Sequence, residues 1–177
     1  MKWSAWVVVV FASLPAFAQP PASDPVQQMK KTYYERFANL PPTRACNPQD
    51  VKGIWHEKVR MSFPQNVATS LFGLSEAHSI GFGSYNRFVL STEPLTDALM
   101  AEKQEQALQQ FIATDTGMLY LYQNGAQQGS LLCFVVQGQP ETAAYTNGSL
   151  LLALPVGGDK PLTLAIYVPN STSSDKG

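Results

Sequence analysis

Residues 46–64, CNPQDVKGIWHEKVRMSFP, carry a cysteine, then a Gly-x-Trp step, then a run in which apolar and polar residues alternate. From Trp55 the chain places Trp55, Glu57, Val59, Met61 and Phe63 on one side and His56, Lys58, Arg60 and Ser62 on the other. Side chains two residues apart share a strand face. A wholly hydrophilic second face predicts a half-buried antiparallel strand. Glu57 interrupts the apolar side. A carboxylate buried there without a partner is costly, so it is expected in a wet interior or near a rim.

The same theme repeats downstream. Ile80, Phe82, Phe88 and Leu90 alternate around Gly81, Gly83 and Arg87, and the glycines suggest a bulge or sharp bend. Asp115-Thr116-Gly117 and Asn124-Gly125 are turn signals on either side of a strand over 118–122. Further strands are expected at 111–113, 131–136, 150–154 and 162–168, and a contribution from 67–72 would make eight instead of seven. Leu162, Leu164, Ile166 and Val168 face one way in the last of them. Residues 93–110 break the pattern: Pro94 and the Glu, Lys, Gln and Ala content favour an inserted helix with Leu95 and Leu99 on its inner face.

Upstream of the opening stretch the period changes to that of a helix. Val26, Met29, Tyr33, Phe37 and Leu40 recur at spacings of three and four, Asp24 can cap, and Pro25 suits the first helical position. Gln27 stands where a capping-box partner would, and Pro41-Pro42 stops the helix. Such a stripe packs on the flank or end of the following domain.

So many antiparallel strands must either close on themselves or stack as a sandwich. Tight sequential turns favour closure. The expected fold is mainly β: an antiparallel up-and-down barrel of seven or eight strands, with an N-terminal helix and one inserted helix. The expected organisation is a signal sequence at 1–18, a leader and helix at 19–45, one barrel domain at 46–169, and a mobile tail at 170–177.

The signal sequence is read from the positive start at Lys2, the short apolar stretch to Leu14, and the small-x-small cleavage site Ala16-Phe17-Ala18. That stretch is too short to span a bilayer, so no membrane span is expected. Export sends the chain to a periplasm or beyond, where disulfides persist. Cys46 and Cys133, the only two cysteines of the 177 residues, are expected to pair.

Composition excludes some partners. Charged residues make up 14% of the chain, and losing Lys2 with the signal sequence takes the net charge from −1 to −2. Nucleic-acid binding needs clustered Lys and Arg, which are absent. No catalytic constellation is visible either. Ser84 is not in a nucleophile elbow, His56 falls on the polar face of its strand, and no zinc, calcium or phosphate-loop spacing occurs. No cofactor, metal site or enzymatic activity is expected.

Gly53-Ile54-Trp55, at the start of a first strand that follows a helix, resembles the Gly-x-Trp signature of lipocalin-like (calycin) barrels. The resemblance covers roughly 46–168. It implies a barrel whose one end is closed by the N-terminal segment, with the glycine turning the chain into the first strand and the tryptophan packed across that end. The chain departs from the family in having no arginine after Arg87 to lie over the tryptophan. Two functions stand. Either the interior holds a small apolar or amphipathic ligand, with Trp55, Phe82, Tyr120, Tyr122 and Phe134 as lining residues. Or the barrel is filled, and its surface meets a protein partner in the cell envelope.

Overall fold

The computed structural model describes residues 25–37, 40–63, 78–106, 109–138, 146–155 and 162–170. The expected signal sequence, the leader with the Asp24 cap, the 67–72 strand and the tail beyond Asn170 lie outside these residues.

The elements in chain order are helix α1 (Pro25–Arg36), a short strand β1 (Thr43–Ala45), β2 (Gly53–Phe63), β3 (Ser79–Phe82), β4 (Phe88–Ser91), helix α2 (Asp97–Gln106), β5 (Gln109–Ala113), β6 (Met118–Gln123), β7 (Ala126–Val136), β8 (Leu150–Ala153) and β9 (Leu162–Pro169). Every strand pairing is antiparallel, and the order β4-β3-β2-β9-β8-β7-β6-β5 is that of a meander whose first and last long strands, β2 and β9, pair. The seam between β4 and β5 is joined by the Arg87–Gln110 bridge. The result is a nearly closed, eight-stranded up-and-down barrel with two helices, as the alternation and turn spacing lead one to expect.

Strand alternation splits the apolar residues into an interior and an exterior set. The interior cluster takes Trp55, Ile80, Phe82, Phe88, Phe111, Leu119, Leu121, Leu131, Cys133, Val135, Leu150, Leu152, Ala165 and Tyr167 from all eight strands, and Phe82 meets Phe111 edge to face at 5.0 Å. The exterior cluster lies under α1: Met29 and Tyr33 are buried against Leu132, Phe134, Leu151, Ala153, Leu162, Leu164 and Ile166, with Phe37 and Leu40 partly buried beside them. The helical stripe thus covers the outside of the barrel wall. The Tyr33 hydroxyl reaches the carbonyls of Leu154 and Thr163, so its polar end is satisfied inside this contact.

Strand β2 departs from simple alternation. Its register against β9 shifts between Glu57, opposite Tyr167, and Val59, opposite Ile166. The extra residue turns the strand over. Trp55 and Glu57 share the interior face with Arg60, whose partner Ala165 is interior, whereas Val59 and Met61 pack outside under α1. The single apolar face expected over Trp55–Phe63 is therefore two half-faces, and Phe63 ends up 40% exposed under the Arg36 guanidinium.

The inserted helix is shorter than 93–110. Thr96 caps it, its hydroxyl accepting from the Leu99 N–H at 3.2 Å; Met100 is its buried residue, with Leu99 partly buried and Leu95, just before the helix, buried in the same cluster. The segment Ile80–Leu90 is a hairpin of two strands joined by a 3-10 turn at 84–86, where Tyr85 and Asn86 have φ of 56° and 55°. Its glycines make no bulge. Gly81 leaves room for α2: a Cβ there would overlap the Met100 Sδ.

Between β1 and β2, residues 46–52 close the end of the barrel where Trp55 lies. Cys46 and Cys133 form the expected disulfide, with Cα atoms 5.3 Å apart. The Cys46 N–H also donates to the Cys133 carbonyl at 2.9 Å. Arg44 grips Asp50 through two bonds of 2.7 and 2.8 Å, which holds the Asp50 carboxyl below and the Arg44 guanidinium above their ordinary values. Val51 is 2% exposed and belongs to the interior cluster.

Candidate functional site

Gly53 has φ of 82°, a left-handed conformation that glycine adopts without strain, and it turns the chain from the closing segment into β2. Two residues on, Trp55 is buried, and its indole N–H donates to the Lys52 carbonyl at 2.8 Å. The Asn170 N–H donates to the Ile54 carbonyl at 2.9 Å, tying the end of β9 to this corner.

Helix α2 lies across the same corner. Its residues Asp97, Met100, Ala101 and Gln104, on one face at spacings of three and four, look towards Gly53–Trp55 of β2, Phe82-Gly83 at the end of β3 and Pro169-Asn170 at the end of β9. Between them is a half-open cleft of about 390 Å³. Ile54, Trp55, Phe82 and Met100 supply its apolar wall, while Lys52, Asp97, Gln104 and Asn170 supply polar groups. Gln104 is fixed in place: its side-chain amide donates to the Ser84 carbonyl at 3.1 Å, and its own backbone carbonyl accepts from Arg87 at 3.0 Å.

A second polar feature lies inside the barrel. Arg60 donates to Glu57 at 3.0 and 2.6 Å, and the Tyr167 hydroxyl donates to the same carboxylate at 3.1 Å. Glu57 thus has the partners its interior position requires. Burial first, and then the Glu57 charge, push the Tyr167 hydroxyl well above its ordinary value, while the bond to Glu57 raises the Arg60 guanidinium.

Of the five lining residues expected from sequence, the fold brings two together. Trp55 and Phe82 meet at the cleft. Tyr120 and Tyr122 alternate with the interior Leu119 and Leu121 and so stand on the outer face of β6, while Phe134 is outside under α1. The five therefore do not form one calyx. Periodicity identifies aromatic residues but not the phase of a strand within a closed barrel.

Sequence reasoning misses Ile54, Asp97, Met100, Gln104 and Asn170. A signal for part of this is present: Gly81 and Gly83 stand two apart on one strand face, and their missing side chains are matched by Met100 and Gln104 four apart on a helix.

His56 and Ser79 are hydrogen-bonded at 2.7 Å, but Ser79 is fully buried, out of a substrate's reach. Among the described residues, no group of three or more His, Cys, Asp or Glu could hold a metal ion, and no helix is long and apolar enough to cross a membrane. Comparison with protein-family models, curated proteins and solved structures finds no match to this chain.

Proposed function

We propose that this is an exported, lipocalin-like binding protein that holds a small apolar or amphipathic molecule in the cleft between α2 and the barrel. The observation that carries the reading is the cleft itself. About 390 Å³ of space, with an aromatic and aliphatic wall and a few polar side chains around it, has the build of a small-molecule site. The disulfide accords with an oxidising compartment. The occupant sits beside the closed end, outside the interior that the resemblance to lipocalins pointed to.

A second reading has its own support. One continuous buried cluster runs through the interior. A barrel filled in this way serves equally as a rigid, non-catalytic scaffold meeting a partner in the cell envelope.

Trp3 and Trp6 belong to the expected signal sequence, so Trp55 is the single tryptophan of the exported chain and reports on the cleft directly. Titration with dodecanoic acid is expected to change Trp55 emission saturably. Ala101→Phe, which fills the cleft from an exposed helix position, is expected to abolish that response without lowering the melting temperature. Native mass spectrometry of protein purified from its own host should show a retained small molecule. No emission change together with no retained mass would leave the scaffold reading in its place.

A further inference from the structure

The cleft under α2 carries charge of both signs. Lys52 stands just before Gly53, which pairs with Phe82, so it lies at the Gly83 end. Its ammonium donates to the Gln49 amide oxygen at 2.6 Å, a neutral partner that leaves the charge in place. Asp97 is the first residue of α2 and also lines the cleft. Thr96 supplies the helix cap, so the Asp97 carboxylate is not taken up by that bond. Gln104, seven residues further along the same helix, lies against Gly83, where a Cβ would overlap its amide nitrogen. Seven residues of helix measure about 10 Å, which sets the distance from the Asp97 end of the cleft to the Lys52 end.

Between these ends the cleft is apolar. Trp55, Phe82 and Met100 are buried and form its floor, with Ile54 and Pro169 beside them. The indole N–H of that floor is already bonded to the Lys52 carbonyl, so the floor accommodates apolar groups. Two side-chain amides stand at the rim. The Gln104 amide nitrogen donates to the Ser84 carbonyl at 3.1 Å, which fixes the group and leaves its oxygen to accept. Asn170 is anchored through its backbone N–H on the Ile54 carbonyl at 2.9 Å, and its side-chain amide can both donate and accept.

From this arrangement we infer that the occupant is a short apolar peptide, two or three residues long and free at both ends. The inference rests on the reading of this cleft as a binding site and gives that site a ligand class. The peptide ammonium pairs with Asp97 and its carboxylate with Lys52. Its main-chain amides meet Gln104 and Asn170, and its side chains meet the floor. The lengths agree, because two or three extended residues span about 7–10 Å. The space of about 390 Å³ is at the small end for ligand sites, which suits so short a chain. A fatty acid would use Lys52 and the floor but leave Asp97 without a counter-charge, and a cationic amphiphile would do the reverse.

The test pairs each end of the peptide with the residue that holds it. Leucyl-leucine and leucyl-leucyl-alanine are titrated into the full exported chain by calorimetry, each in free, N-acetylated and C-amidated form. At least one free peptide is expected to bind. Asp97→Asn is expected to weaken the free peptide by about threefold to fivefold, the range of an exposed ion pair, and to leave the acetylated peptide unaffected. Lys52→Gln should do the same at the other end, with the amidated peptide unaffected. Both positions are exposed, so neither variant is expected to lower the melting temperature. Three results would each overturn the inference: no binding of either free peptide, undiminished binding in both variants, or an equal loss for free and blocked peptides. Dodecanoic acid titrated in parallel locates the failure. If it changes Trp55 emission while the peptides do not bind, the cleft stands and the peptide class falls; if neither binds, both fall.

Discussion

A missing side chain decides how α2 sits. Met100 occupies the space that a Cβ on Gly81 would need, and Leu95 is close behind at 3.4 Å. Gly81→Val is expected to cost about 1–3 kcal/mol, the usual range for overpacking. Met100→Ala in the same chain should recover part of it, because the methionine is the group displaced. Urea denaturation of the two single variants and the double variant reads the coupling, and simple additivity would contradict the proposed contact. Two buried tyrosines make a second residue-level prediction. Burial raises the hydroxyls of Tyr33 and Tyr167 above the ordinary 10.0. A group raised in the folded state stabilises fully below its unfolded pKa and loses that contribution as pH rises above it. The urea midpoint should therefore fall as pH climbs from roughly 9 to 12, and the loss should be smaller in Tyr33→Phe/Tyr167→Phe. An identical pH dependence in that variant would show that these two groups are not responsible. Of these residue-level features, Gly81 was visible as an oddity in a strand, but its meaning depended on a helix some twenty residues away.

At the scale of elements, the closing segment is the informative piece. Residues 46–52 stay in place through the disulfide, the Arg44–Asp50 pair and the buried Val51, with little regular structure of their own. The disulfide spans a sequence separation of 87, so reduction frees a long loop in the unfolded chain and is expected to remove about 4 kcal/mol of stability. Equilibrium unfolding with and without a reductant measures this; a loss under about 1 kcal/mol would mean that packing of Val51 and Trp55 alone holds the segment. The cysteine pairing and the α1 stripe were both legible, because a compartment argument and a 3.6-residue period are local properties of sequence. The bulge in β2 was not. An extra residue leaves no mark on composition, and alternation continues on either side of it; only pairing with β9 shows where the phase changes.

For the whole molecule, closure rests on β2 meeting β9, from Trp55 opposite Pro169 to Phe63 opposite Leu162. A barrel sealed by the two ends of its chain has few local shortcuts, so refolding is expected on the millisecond-to-second scale of all-β domains. Stopped-flow emission of Trp55 follows it, and a microsecond refolding phase carrying the full amplitude would be incompatible with closure as the late step. The same closure explains what sequence could and could not specify. Alternation, turn residues and helical spacing act between near neighbours, and they were enough to determine strands, hairpins, a meander and the N-terminal helix with its apolar stripe, while its seat on the outer wall came from the tertiary structure. Which aromatic side chains meet was decided only by the tertiary structure. The shift in β2 sets the phase of its half-faces, and the approach of α2 at Gly81 creates the cleft at Trp55 and Phe82. The pairing of β6 with β7 puts Tyr120 and Tyr122 on the outside of the barrel wall, apart from Trp55 and Phe82. The first two depend on contacts between segments far apart in the chain, and no local pattern records which side of a strand becomes the inside.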